Sequence, residues 1–174
     1  TVATHTTGDE RPAFQILIYP VITMDASYTH AGSRSCLLGS SPSAALVELY
    51  SNEKQVTEET PMAYINWADN DGTVPPRNST EYAKALKAKG VPVHTKNFPT
   101  GGHGYGFSTS YTYHDKFIED LTKWMMNVDA TLTSIEAPVV TDAKDEVYYD
   151  LSGRRVDNPK RGIFITKGRK IFVK

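Results

Sequence analysis

The sequence predicts an α/β domain carrying a small antiparallel β appendage, and three observations predict it. Short apolar runs at residues 14–19, 62–67 and 91–98 alternate with helical patterns, which is the order of a parallel sheet with right-handed helical crossovers. The turns between them carry Gly, Pro, Asn and Asp at the expected places. After Asp129 the periodicity shortens to strand-like runs separated by turns, with no further helical pattern.

Residues 1–10 look like a helix end followed by a polar loop. Residues 14–19 (Phe-Gln-Ile-Leu-Ile-Tyr) form a continuous apolar run stopped by Pro20, the profile of a strand buried on both faces. Residues 23–39 are polar and punctuated by Gly and Ser, and read as loop. Ser41-Pro42 reads as a helix start, an N-cap with proline at N1, with the helix running to about Ser51 and Leu46, Leu49 and Tyr50 facing inward. Residues 52–60 form a charged connection.

Residues 62–67 (Met-Ala-Tyr-Ile-Asn-Trp) are the second strand, stopped by Asp69-Asn70-Asp71-Gly72. Asn78 with Glu81 resembles a capping box; Tyr82, Ala85 and Leu86 form one apolar stripe, and Gly90 is the expected C′ residue. Asn78-Ser79-Thr80 is also formally a glycosylation sequon. Residues 91–98 are the third strand. Phe117, Ile118, Leu121, Trp124, Met125 and Val128 then fall on one helical face. Runs at 135–140, 146–151, 162–166 and 170–173 make the antiparallel appendage.

Composition narrows the function classes. The 174 residues are 39% hydrophobic and 22% charged, enough for a real core. No run approaches a membrane span, and the first eight residues show no signal-peptide pattern. A single cysteine, Cys36, excludes an internal disulfide and a cysteine-based zinc site. Net charge is −1, but residues 151–174 hold eight Lys/Arg against the one acid Asp157. A basic tail of this kind could meet an anionic surface; a solvated β surface with charged edges explains it more simply, and no nucleic-acid partner is expected.

The chemistry gathers where open parallel sheets place function, outside the carboxyl ends of the strands. His103 sits among glycines in Gly101-Gly102-His103-Gly104-Tyr105-Gly106, just after the third strand, as a candidate general base. A carboxylate on one imidazole nitrogen would fix the tautomer and leave the other nitrogen to deprotonate a nucleophile. Asp71 and Asp69, both after the second strand, are the candidates, and residue spacing does not choose between them. Asp69-x-Asp71 lacks the glycine position of a calcium loop, and His5, His30, His94 and His114 show no ligand spacing, so no metal or cofactor is expected. Tyr105 and Trp67 could stack on a sugar or aromatic acyl group, or simply pack at the core or rim.

Residues 11–127 resemble the C-terminal half of an α/β-hydrolase, in the bacterial carbohydrate-esterase branch of BD-FAE and acetylxylan-esterase-like proteins. The pieces that carry the resemblance are Arg11-Pro12-Ala13-Phe14, Leu17-Ile18-Tyr19-Pro20-Val21, Gly32-Ser33-Arg34, Leu37-Leu38-Gly39, Gln55-Val56-Thr57 and Thr60-Pro61. They continue through Asp71-Gly72-Thr73-Val74-Pro75, Asn78-Ser79, Tyr82 with Ala85-Leu86, Gly90-Val91-Pro92-Val93 and Pro99-Thr100-Gly101-Gly102-His103-Gly104. The resemblance implies that Asp71 is the acid and His103 the base of a serine esterase. It also implies a nucleophile in a G-x-S-x-G elbow that precedes both in chain order, and no such motif occurs in this sequence. Thr1-Val2-Ala3-Thr4-His5 is similar to the family segment that follows that elbow. The expectation is therefore a partial hydrolase domain over 1–130, whose serine and first sheet half lie upstream.

Residues 131–174 resemble the C-terminal β segments of secreted Bacteroidota proteins, some of which are sorting signals, through Val147-Tyr148-Tyr149-Asp150-Leu151-Ser152-Gly153 and Gly162-Ile163-Phe164-Ile165. That implies a secreted, periplasmic or cell-surface location. The expected substrate is an acylated, xylan-type carbohydrate or small ester. Two alternatives stand beside it: a serine peptidase of the prolyl-oligopeptidase kind, although no propeller region is present, and an inactive half-domain that pairs through the edge beside residues 14–19 with its missing half or with another copy.

Overall fold

The computed structural model describes residues 1–133, 147–150, 153–157, 159–166 and 169–173, and divides into two compact units, Thr1–Met125 and Met126–Lys174. The first opens with the short helix α1 (Val2–His5) and holds a parallel sheet of β1 (Phe14–Ile18), β2 (Met62–Ala68) and β3 (Val93–Phe98), in the order β1-β2-β3. The register pairs Ile18 with Asn66 and Trp67 with Asn97.

β2 organises this unit. From Ala63 to Ala68 every residue is buried, because the strand is flanked on both sides and covered on both faces. Alternation of side chains along the strand divides them between two helices. Ala63, Ile65 and Trp67 pack with Tyr82, Ala83 and Leu86 of α4 (Arg77–Ala88). Tyr64 packs with Phe98 and with Phe117 and Leu121 of α5 (His114–Thr133). Gly90, at φ 72, ends α4 as expected, and the Val91 N–H closes a Schellman-type turn onto Leu86 O at 3.0 Å.

Several expectations are corrected. β1 is a margin strand among the described residues, and within it only Gln15 is buried; the apolar run had read as buried on both faces. Residues 31–38, read as loop, form α2 (Ala31–Leu38). Its N-cap is His30, whose Nδ1 accepts from Ser33 N at 3.2 Å, and it buries no residue, so neither cap chemistry nor periodicity announces it. The next helix, α3 (Ala44–Tyr50), starts at cap Ser43 rather than Ser41, and Leu46 and Leu49 are exposed rather than inward. Met125 of α5 is likewise exposed.

Asn78 is not a cap. It lies inside the first turn of α4, fully buried. Its Oδ1 accepts from Ile22 N and Thr23 N at 3.0 and 3.1 Å, and its Nδ2 donates to Tyr28 O at 2.8 Å. One amide thus fastens the chain leaving β1 onto α4.

The second unit contains an antiparallel sheet of β4 (Tyr148–Tyr149), β5 (Arg155–Val156), β6 (Gly162–Thr166) and β7 (Arg169–Val173), in the order β5-β4-β6-β7. The β6–β7 pairing runs from Gly162↔Val173 to Thr166↔Arg169. The predicted run at 135–140 lies outside the described residues, as do Glu146, Leu151, Ser152, Asn158, Lys167 and Gly168.

Candidate active site

The loops after β2 and β3 leave adjacent strand ends on the same side of the sheet, and they meet. Asp71 follows β2 in a tight turn in which its N–H donates to Ala68 O at 3.1 Å. Its side chain is fully buried. Oδ1 accepts the N–H groups of Thr73 and Val74, both at 2.9 Å, the local side-chain-to-backbone pattern that suits aspartate to turns. Oδ2 accepts from Nδ1 of His103 at 2.8 Å. A buried carboxylate is costly unless its oxygens are hydrogen-bonded, and here both are.

The rival carboxylate is engaged elsewhere. Asp69 accepts from Trp67 Nε1 at 3.1 Å, and both its oxygens accept from Asn97 Nδ2, at 3.0 and 2.9 Å.

The His103 loop is shaped by its glycines at two points. Gly101 has φ 142, and a Cβ there would lie 2.7 Å from the Tyr111 ring, so both conformation and space require glycine. Gly102, at φ 62, directs its N–H to Asn70 Oδ1 at 2.9 Å. Asn70 therefore ties the two site loops together. The imidazole itself is partly open to solvent. In a neutral imidazole that donates Nδ1–H to Asp71, the lone pair lies on Nε2, the arrangement that can accept a proton from a hydroxyl.

Aromatic residues support this loop from below. Tyr105 is buried, stacks on Tyr111 at 4.2 Å, and donates its hydroxyl to Asn66 Oδ1 at 2.5 Å. Burial first, and then the neighbouring Tyr111, Tyr19 and Asp71, push the Tyr105 phenol well above its usual value, so it stays a neutral donor. Burial, with Tyr113 beside it, pushes Tyr111 up to about 12. Trp67 lies in the core cluster with α4. The two aromatics weighed as substrate platforms are thus both buried by protein groups. Tyr19, Asn66 and Asn70 were not singled out from the sequence. The Tyr19-Pro20 stop at a strand end is a signal for Tyr19; nothing in the sequence marks Asn66. Among the described residues, no group of three or more His, Cys, Asp or Glu could hold a metal ion.

Comparisons with known proteins show the family and the fold. The model of the prolyl oligopeptidase family matches residues 5–129, and the chain belongs to that family. An acetylxylan esterase of Xylanibacter ruminicola is 35% identical over 133 residues, which are 74% of this chain and 28% of that protein. Endo-1,4-beta-xylanase B of Butyrivibrio fibrisolvens is 44% identical over 94 residues, 54% of this chain and 15% of that one. Among solved structures, an acetyl ester-xyloside bifunctional hydrolase from Caldicellulosiruptor lactoaceticus superposes with a TM-score of 0.70 at 34% identity, covering 74% of this chain and 51% of that one. The parallel sheet with helices on both faces is an α/β-hydrolase arrangement, and the chain spans about half or less of the length of these relatives.

Proposed function

We propose that Asp71 and His103 are the acid and base of a serine esterase that deacylates xylan-type carbohydrate. The observation that carries this is the buried Asp71 carboxylate, anchored by two backbone N–H groups and facing His103 Nδ1 at 2.8 Å. Nε2 takes the proton of a serine hydroxyl as its oxygen attacks the ester carbonyl, and the imidazolium then protonates the leaving sugar oxygen. Water releases the acid from the acyl-enzyme by the same route. Asp71 holds the ring and stabilises the imidazolium without itself taking the proton.

The serine belongs, on this reading, to polypeptide outside these 174 residues. The matched region's coverage of only 51% of the Caldicellulosiruptor hydrolase supports that placement. Residues 1–130 then supply acid and base, residues 131–174 serve as a C-terminal segment of a secreted or cell-surface protein, and the 174 residues alone are inactive. The substrate class rests on the acetylxylan esterase and acetyl ester-xyloside relatives.

The test is acetate release from acetylated xylo-oligosaccharides by a polypeptide joining this chain to a G-x-S-x-G segment, with the 174-residue chain as the comparison. Release by the joined protein and none by the chain alone is expected. Turnover by the chain alone contradicts the placement of the serine. The family match favours a second reading, a peptidase acting on proline-containing peptides; cleavage of a prolyl peptide substrate with no acetate release supports it instead.

A further inference from the structure

Tyr19, immediately after β1, combines three features that the acid–base pair leaves unexplained. Its backbone has φ 41, and it is the one described residue other than glycine with positive φ, a strained conformation for a bulky residue that persists where the surroundings impose it. The Tyr19 N–H donates to Asn66 O at 2.6 Å, at the end of the β1–β2 ladder. The turn carries the side chain to His103. The Tyr19 ring lies 4.3 Å from the imidazole, tilted by 58°, and meets Tyr105 edge-on at 4.9 Å. Its hydroxyl accepts the Gly106 N–H at 3.1 Å, so the loop that carries His103 is held from the far side of the sheet margin.

We propose that Tyr19 is a positioning residue for His103: its strained backbone aims a ring that walls one side of the imidazole, and its hydroxyl pins the loop through Gly106. The inference rests on reading His103 as the base. Asp71 fixes the tautomer through one nitrogen, but a single hydrogen bond leaves the ring free to swing about it. A wall within van der Waals range, joined to the loop by a second hydrogen bond, removes that freedom. Tyr105 supports the same wall, since its hydroxyl is held by Asn66 Oδ1 while Tyr19 is held by the backbone carbonyl of the same residue.

The experiment uses the 174-residue chain with 15N-labelled histidine and amides, so that it reads tautomer and loop protection without needing turnover. Tyr19→Phe removes only the hydroxyl. Its Gly106 amide should exchange about two- to tenfold faster, the equivalent of one hydrogen bond, with the rest of the spectrum retained. Tyr19→Asn keeps a residue that tolerates positive φ but deletes the ring, and the His103 nitrogen shifts should move from a single Nδ1–H tautomer toward a mixture. Unchanged Gly106 exchange in Tyr19→Phe together with an unchanged tautomer in Tyr19→Asn overturns the proposal. If Tyr19→Asn fails to fold, Gly106 exchange in Tyr19→Phe decides alone. Asp71→Asn separates the two readings: if it leaves the His103 tautomer unaltered, the acid–base assignment itself fails, whatever the Tyr19 variants do.

Discussion

Asp69 and Asp71 stand two residues apart after the same strand, and only the geometry of their partners separates them. Asp71 faces His103, whereas Asp69 is consumed by Trp67 and Asn97. From residue types and spacing, the histidine loop and the acidic turn were legible because both follow apolar runs and carry glycine. The choice of carboxylate was not, since it depends on which way each side chain leaves its turn. The supporting residues were hidden for a related reason: Asn66 reads as one more position in a buried strand, and its role exists only because Tyr105 crosses over to it. Removing that hydroxyl in Tyr105→Phe leaves Asn66 Oδ1 without its donor. A loss of about 1–3 kcal/mol in urea unfolding is expected, and an unchanged midpoint contradicts the network. Gly101→Ala forces a Cβ to within 2.7 Å of Tyr111 at a φ that L residues rarely adopt. Its melting temperature should fall, and the His103 and Tyr111 resonances should shift together.

Helices and strands are legible in the sequence where burial imposes a period and silent where it does not. β2 and the inward faces of α4 and α5 were visible because apolar side chains must recur every second, or every third and fourth, position to reach the core. α2 buries nothing, and α3 exposes the leucines that suggested its inner face, so periodicity had no purchase on either. Asn78 misled because its chemistry suits a cap, while the structure uses it to satisfy two buried N–H groups of the segment after β1. Asn78→Ala orphans both donors and should cost more than about 2 kcal/mol, above the roughly 1 kcal/mol typical of losing an ordinary cap. Leu86, fully buried between α4 and β2, should cost about 2–5 kcal/mol when cut to alanine. Denaturant unfolding of the two variants checks both values.

Across the molecule, the tyrosines with raised phenols give a signature at alkaline pH. Burial raises the phenols of Tyr105, Tyr64 and Tyr82, and takes Tyr111 up to about 12. Each raised value means that the unfolded chain loses its proton first as pH rises, so the stabilisation is complete below pH ~10 and declines above it. For Tyr111 the decline runs from about pH 10 to about 12. Melting temperatures followed from pH 9 to 12 should fall through that window, and more shallowly in Tyr111→Phe. The chain belongs to the prolyl oligopeptidase family, and the proposed role of the paired Asp71 and His103 loops is the point to test. The most direct test is the rate of aryl acetate hydrolysis by the serine-bearing polypeptide with and without His103→Ala. A loss on the order of 10³-fold or more in kcat, with the fold and KM little changed, is the predicted result; an unchanged kcat contradicts the assignment of His103 as the base.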